Sequence, residues 1–192
     1  MALRVLVVDS DAGRAACVVE ALVQAGYLVA SVLETGTDIY AKVRAVQPDV
    51  IIIDMESPDR DMLEHLRGIN RDDPRAIVMF CQDDASESIS AAVEAGVSAY
   101  VVDGLHQHRI KPILQTAVAR FRDFQALRQE LAETKTTLAD RKTVDRAKGI
   151  LMRQRGMSEE EAYQALRKQA MNRNKRIVEV ADAVIAAAEL LG

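Results

Sequence analysis

Two kinds of hydrophobic pattern divide the chain near residue 110. Before this point, short β-branched runs alternate with stretches in which apolar residues recur every three or four positions, the spacing of one helix face. The runs are apolar almost throughout, so we expect strands that are buried on both faces. They lie at residues 3–8, 27–33, 50–53, 77–81 and 99–102. Five strand and helix units joined by short connections predict an α/β fold, a doubly wound five-stranded parallel sheet.

After Pro112 only the helical spacing continues, and proline is tolerated in the first turn of a helix. Apolar residues spaced by three and four positions form a seam from Leu114 to Leu138, as in a coiled coil. A long exposed helix gains little stability unless such a stripe is buried, so we expect a homodimer through the helix at residues 112–142. The alternative is a last helix that covers the sheet and then continues into solvent.

Two shorter helices are predicted after Gly156. Ser158 and Glu161 have the spacing of a capping box, and a break near residues 172–174 separates the first short helix from the second. Together with the end of the long helix they make a small all-α unit. We therefore expect an α/β domain over residues 1–120, a coiled-coil linker helix over residues 121–138 and a three-helix domain over residues 139–192.

The composition is that of an ordinary globular protein, with 49% hydrophobic and 28% charged residues, and it excludes a disordered or collagen-like chain. Two cysteines cannot supply a disulfide framework. The first apolar run is too short for a signal peptide, and no stretch approaches the roughly 20 apolar residues that cross a bilayer. We expect a cytoplasmic protein with no membrane partner.

The net charge of -4 is unevenly distributed along the chain. Residues 1–120 carry a net charge of -7, whereas residues 139–176 carry +6 from 11 basic and 5 acidic side chains. Clustered lysine and arginine neutralise phosphates, so the basic stretch predicts an anionic partner such as a nucleic acid. A solvated helix face is the alternative interpretation.

Carboxylates follow two of the predicted strands. Asp9 and Asp11 come after the first strand, and Asp54 ends the third. Sites in a doubly wound sheet form beyond the carboxyl ends of its strands. Carboxylates gathered there can bind Mg²⁺, and one of them can accept a phosphoryl group.

Three segments in the order VLVVDSD, PDVIIIDMESP and AGVSAYVVDG resemble the blocks of a response-regulator receiver domain, over residues 1–120. The resemblance implies that Asp54 is the phosphoacceptor. It also implies that Asp9 and Asp11 form the acidic pocket that binds Mg²⁺ together with Asp54.

Three positions depart from the receiver pattern. Ser10 stands where a second adjacent acid is usual, and Cys81 replaces a hydroxyl residue at the end of the fourth strand, although a thiol is a poor hydrogen-bond donor. Asp103 replaces the lysine after the fifth strand, and its negative charge repels an added phosphoryl group. We therefore expect at most weak Mg²⁺ binding, no other cofactor, and control by a protein partner more than by phosphorylation.

The block RAKGILM, the segment at residues 156–158 and the Val180–Ala181 pair resemble an ANTAR domain, an RNA-binding antiterminator module. With SPDRD and VVDGL nearer the start, the chain resembles the NasT-type nitrate and nitrite regulators. Basic side chains satisfy phosphates, and a helical glycine lets a backbone approach closely. The RNA-binding candidates are Arg141, Lys142, Arg146, Lys148, Gly149, Arg153, Arg167, Arg173, Lys175 and Arg176. We expect Tyr163 and Met152 to pack in the core.

The resemblance implies a transcription antitermination regulator that binds paired stem-loops in leader mRNA and controls nitrate or nitrite assimilation genes. It also suggests a nitrate-sensing partner protein that sequesters the chain. The alternative is a phosphorylation-dependent DNA-binding response regulator, because three small helices can also carry a helix-turn-helix. The sequence has no Ser/His/Asp pattern and no phosphate-binding glycine loop, so we do not expect an enzyme.

Overall fold

Strands and helices alternate in the first part of the chain, and only helices follow. The computed structural model describes residues 2–34, 37–102 and 107–191. In chain order the elements are β1 (Arg4–Asp9), α1 (Ala12–Gln24), β2 (Leu28–Leu33), α2 (Ile39–Val46), β3 (Val50–Met55), α3 (Arg60–Asp72), β4 (Ala76–Cys81), α4 (Ser86–Glu94), β5 (Ala99–Val102), α5 (Gln107–Arg155), α6 (Glu159–Arg173) and α7 (Ile177–Leu191).

The five strands form one parallel sheet in the order β2-β1-β3-β4-β5. One face of the sheet packs against α2, α3 and α4, and the other packs against α1 and the start of α5. Helices on both faces bury the uniformly apolar central strands, as the sequence pattern requires. The predicted doubly wound five-stranded parallel sheet is confirmed.

Burial differs between the central and the outer strands. Strand β4 is buried along its whole length, whereas most residues of β2 and β5 are only partly buried, and Leu28 and Val32 are exposed. The expectation that all five strands are buried on both faces is therefore wrong for the two edges. An edge strand has a neighbour on one side only, and the covering helices pack mainly over the centre of the sheet.

The structure divides into two compact units, Met1–Gln125 and Ala126–Gly192. Helix α5 is continuous and contributes to both units, with its first turns packed on the sheet and its last turns in the second core. The sequence suggested that Pro112 lies in the first turn of this helix. The helix begins earlier, at Gln107, so Pro112 lies inside it. A separate linker over residues 121–138 stays a prediction.

Helices α6 and α7 pack with the end of α5 to form the second unit. The predicted capping box is present, because Ser158 and Glu161 each accept a hydrogen bond from the other's backbone N–H. Asn174 ends α6 in a left-handed conformation. The core is aliphatic and consists of Ala147, Ile150, Leu151, Ala162, Leu166, Ala170, Val180, Ala181 and Ile185.

Within the described ranges, no helix has both the length and the apolar character of a membrane span.

Candidate functional site

The carboxylates of Asp9 and Asp54 lie next to each other at the carboxyl end of the sheet. Strands β1 and β3 are paired so that the two residues are direct register partners. Asp9 is 2% exposed and Asp54 is 5% exposed, and among the described residues they are the only charged side chains classed as buried. Two adjacent buried carboxylates repel each other unless a cation compensates them.

Arg14 supplies that cation from the first turn of α1. Its Nη2 lies 2.6 Å from Oδ1 of Asp9, and its Nε lies 3.0 Å from Oδ2 of the same carboxylate, which makes the pair bidentate. The same Nε lies 3.4 Å from Oδ2 of Asp54. The guanidinium therefore stands between the two acids that the sequence assigned to a phosphoacceptor pocket.

The sequence analysis missed Arg14, although one signal was available. Asp11 is a good N-cap residue, and an N-cap at this position places Arg14 in the first helical turn, directly after the end of β1. A side chain of this length at that point reaches back to the strand ends. The N-cap could have been recognised from the sequence, but the direction in which the arginine side chain points could be seen only in the folded structure.

Asp11 begins a helix in the structure and does not join the other two acids in a group of three. Its Oδ1 accepts a hydrogen bond of 2.9 Å from the backbone N–H of Arg14, and its own N–H donates to Oδ1 of Asp9 at 2.8 Å. The backbone N–H groups of Arg14 and Gly13 lower the pKa of Asp11. In the part of the chain that the structure describes, no three His, Cys, Asp or Glu side chains are placed to hold a metal ion.

Asp54 is less well compensated than Asp9. Its Oδ2 is buried and has no hydrogen-bond partner within the described residues. Burial raises the pKa of Asp54 to about 6, while Arg14 opposes this shift and Asp9 adds to it. Asp54 is therefore protonated more readily than an exposed aspartate.

The residues at this pocket do not fit Mg²⁺ in the arrangement that the structure shows. Magnesium requires oxygen ligands in a near-octahedral shell, with carboxylates that are free to coordinate it. Both oxygens of Asp9 already accept hydrogen bonds, Asp11 caps a helix, and Arg14 brings a positive charge to the same oxygens. The predicted weak Mg²⁺ site at Asp9, Asp11 and Asp54 stays a prediction that this geometry does not favour.

The three altered positions have different surroundings. Ser10 is exposed, whereas Cys81 is buried in the core, where burial raises the pKa of its thiol. Asp103 lies outside the described residues.

The loop after β4 is held by a residue that the sequence analysis did not single out. Oδ2 of Asp83 accepts hydrogen bonds from the hydroxyls of Ser57 at 2.7 Å and Ser88 at 2.6 Å, and Oδ1 accepts one from the N–H of Ala85 at 2.9 Å. The hydroxyl of Tyr100 donates to the backbone oxygen of Asp83 at 2.8 Å. These bonds tie the loops after β3 and β4 to helix α4 and strand β5. Nothing in the local sequence shows that these four elements meet.

The basic candidates of the second unit fall into two groups. Those in the first group are exposed and form no ion pair within the described residues: Arg141, Lys142, Arg153, Arg167, Arg173 and Lys175. Those in the second group are paired with acids. Arg146 lies 2.7 Å from Glu189, and Arg176 lies 3.5 Å from Asp140.

Lys148 has the most internal position of the set. Its side chain is 14% exposed, and its Nζ lies 2.6 Å from Asp145 and 2.8 Å from Glu159. These two acids raise the pKa of Lys148. The ammonium group thereby joins α5 to the first turn of α6. Gly149, the next residue, has nothing within 4 Å of the place where a Cβ would stand.

Tyr163 lies on the surface and not in the core. Helix α6 buries the face formed by Ala162, Leu166 and Ala170, and Tyr163 is 39% exposed beside that face. Met152 is likewise exposed, so the expectation of core packing is wrong for both residues. A period of 3.6 residues places Tyr163, Arg167 and Met171 on successive turns of one exposed side of α6.

Comparisons with known families match both units. Residues 5–115 match the response regulator receiver domain, which covers more than half of the chain. The chain belongs to the response-regulator receiver family. Residues 132–185 match the ANTAR domain, so the two domains identified from the sequence are confirmed in the same order. Together they make this receiver–ANTAR protein a regulator of the RNA-binding antitermination class.

Curated relatives agree with this assignment. The chain is 30% identical over 182 residues to the transcriptional regulatory protein PdtaR of Mycobacterium tuberculosis, which covers 95% of this chain and 89% of that protein. It is 43% identical over 75 residues to the nitrate regulatory protein of Klebsiella oxytoca, which covers 39% of this chain and 19% of that protein. The first similarity extends through both domains of the receiver–ANTAR protein.

Solved structures support the receiver fold. The CheY-like receiver domain protein of Methanospirillum hungatei aligns with a TM-score of 0.56 and 19% identity, covering 64% of this chain and 98% of that chain. The receiver domain of the response regulator NarL from Mycobacterium tuberculosis aligns with a TM-score of 0.55 and 18% identity, covering 62% and 97%. At this level of identity the likeness concerns the fold of the receiver domain alone.

Proposed function

We propose that this receiver–ANTAR protein binds paired stem-loops in leader mRNA and prevents an overlapping terminator hairpin from forming. One observation carries the proposal: the ANTAR match at residues 132–185 coincides with the basic stretch of the chain, whose net charge is +6 over residues 139–176. Exposed cations that have no internal acid are available to neutralise phosphates. They supply affinity and orient the protein on the nucleic acid.

The exposed side of α6 offers groups for reading bases. RNA recognition favours unstacked loop bases, which stack on aromatic rings or on arginine planes. Tyr163 and Arg167 provide one of each on adjacent turns, and Met171, 72% exposed, extends the apolar surface. We assign the loop bases to this side of α6 and the phosphates to the basic residues around it.

The test uses RNA recovered with the protein from cells, followed by binding measurements on the sequenced RNA and on duplex DNA of the same sequence. At matched salt we expect the RNA to bind at least tenfold more tightly and log Kd to depend linearly on log salt. An RNA with only one of its two stem-loops should bind more weakly than the pair. A preference for the duplex would instead favour the phosphorylation-dependent DNA-binding regulator.

A homodimer through the helix at residues 112–142 would let two ANTAR domains engage both stem-loops. Leu114 and Ala117 of the predicted seam are buried against the sheet, so only its later part is open to a second chain. In that part, Leu131 is 52% exposed and Leu138 is 54% exposed. Serine at both positions should shift the protein toward monomer in sedimentation experiments. Leu190→Ser is the matched control, because this leucine is 87% exposed in α7, outside the seam. An unchanged mass for the double variant would contradict the dimer.

We further propose that the targets are nitrate or nitrite assimilation genes and that a nitrate-sensing protein sequesters the chain. The resemblance to NasT-type regulators and the similarity to a nitrate regulatory protein support this assignment. A partner that co-purifies with the chain should dissociate when nitrate is added. A complex that is insensitive to nitrate would contradict this signal without affecting the RNA proposal.

A further inference from the structure

We propose that the guanidinium of Arg14 is a built-in occupant of the receiver's cation site and excludes divalent metal ions from it. The acids that would hold a metal, Asp9 and Asp54, are the two that Arg14 contacts. The guanidinium of Arg14 thus takes the place that a divalent metal ion would otherwise occupy. This inference concerns the receiver domain and does not depend on the proposed RNA function.

Geometry gives Arg14 an advantage over a free ion. The arginine is attached to the first turn of α1, and Asp11 fixes the start of that helix by capping it. The bidentate contact with Asp9 uses both oxygens of that carboxylate, at 2.6 and 3.0 Å. A metal ion would have to take these oxygens from Arg14 while the attached guanidinium stayed nearby, and the two positive charges would repel each other.

The internal cation keeps its charge, because the guanidinium group of arginine is not deprotonated in proteins. Its carboxylate partner is nearly inaccessible, because the side chain of Asp9 is 0% exposed and that of Arg14 only 36%. Ser10 offers a neutral hydroxyl in place of a further acid, and Asp11 is occupied at the helix start. Oδ2 of Asp54 accepts no hydrogen bond within the described residues, but Nε of Arg14 lies 3.4 Å from this same atom.

The decisive experiment measures Mn²⁺ binding to the full chain by electron paramagnetic resonance, with Mn²⁺ as the probe for divalent cations. We expect Arg14→Ala to bind Mn²⁺ at least tenfold more tightly than the original chain. Arg60→Ala is the matched control, since it also removes an arginine from a first helical turn, but one whose side chain is 87% exposed and paired with Glu64. This control should bind Mn²⁺ as weakly as the original chain.

Two further measurements keep the test decisive if Arg14→Ala folds poorly. Arg14→Lys retains one positive charge but loses the fork that reaches two acids, and it should bind Mn²⁺ with intermediate affinity. In the original chain, Mn²⁺ should leave the backbone amide signals of Asp9 and Asp54 unbroadened in nuclear magnetic resonance spectra. Selective broadening of those signals at micromolar Mn²⁺, or equal affinities for the original chain and Arg14→Ala, would overturn the proposal.

Discussion

The two domains place their charges in opposite ways. In the receiver domain, the acids at the strand ends are buried beside an internal arginine, which is hydrogen-bonded to Asp9 and lies 3.4 Å from Asp54. In the ANTAR domain, most of the basic candidates are exposed, and several form no ion pair within the described residues. A buried charge is paired with a group inside the chain, whereas an exposed charge remains available to an external partner. We therefore expect one site that excludes divalent ions and one surface that binds phosphates.

The largest expected effect concerns the buried pair and its pH dependence. The pKa of Asp54 is raised from 3.8 to about 6 in the folded chain, so the folded state binds more protons than the unfolded state between these pH values. Stability contributed by this proton is present at low pH and is lost as pH rises through this window. We expect the loss to be about 3 kcal/mol, from 1.36 kcal/mol for each pKa unit.

Urea unfolding of the original chain and of Asp54→Asn, from pH 4 to pH 7, measures this effect as a difference. The asparagine variant lacks the titrating group. The free energy of unfolding of the variant minus that of the original chain should therefore increase as pH rises. The contributions of distant groups are common to both proteins and cancel in the difference. Parallel stability profiles would show that burial does not raise the pKa of Asp54.

The next largest effect distinguishes the two groups of basic residues in the ANTAR domain. Arg167→Ala should weaken RNA binding about tenfold and reduce the slope of log Kd against log salt by about one, because an exposed phosphate or base contact is lost. Arg146→Ala should weaken it less than about threefold, since Glu189 already competes for this side chain. Equal losses would mean that internal pairing does not determine which cations meet RNA.

Gly149 offers a smaller effect with two readouts. A Cβ at this helical position meets nothing within 4 Å, so Gly149→Ala should raise stability by about 1 kcal/mol in urea unfolding. If RNA approaches the backbone closely at this glycine, the same variant should bind RNA several-fold more weakly. A stabilised variant with unchanged RNA affinity would restrict Gly149 to a structural role.

The smallest expected effect is a response of the receiver domain to phosphorylation. Acetyl phosphate with Mg²⁺ should label Asp54 poorly, because Arg14 holds the neighbouring acid and Cys81 is a poor hydrogen-bond donor. RNA affinity should change less than about twofold after this treatment. Mass spectrometry gives the labelled fraction, and extensive labelling with tighter RNA binding would restore a phosphorylation switch.

Periodicity predicted the fold well because sheet and helix patterns are local properties of the chain. The strands of the sheet, the capping box at Ser158 and both domain identities could be recognised from residue order alone. Burial of the edge strands was overestimated, since strand order depends on how the chain crosses over.

The site was only partly predictable. Asp9 and Asp54 could be placed together because parallel strands end at the same edge. The contacts of Arg14, Asp83 and Lys148 depend on side chains that reach across elements, and no spacing in the sequence shows them. Tyr163 is exposed because α6 packs inward through Ala162, Leu166 and Ala170, and the identity of Tyr163 alone did not reveal which face is buried.

The different topologies of the domains also bear on the order in which they acquire structure. In the sheet, β1 pairs with β3 through partners such as Val5 and Val50, so a long loop must close before these two strands can pair. In the three-helix unit, Lys148 reaches Glu159 only 11 residues later. Short sequence separations favour rapid folding. We therefore expect the ANTAR domain to form its contacts faster than the sheet that precedes it in the chain.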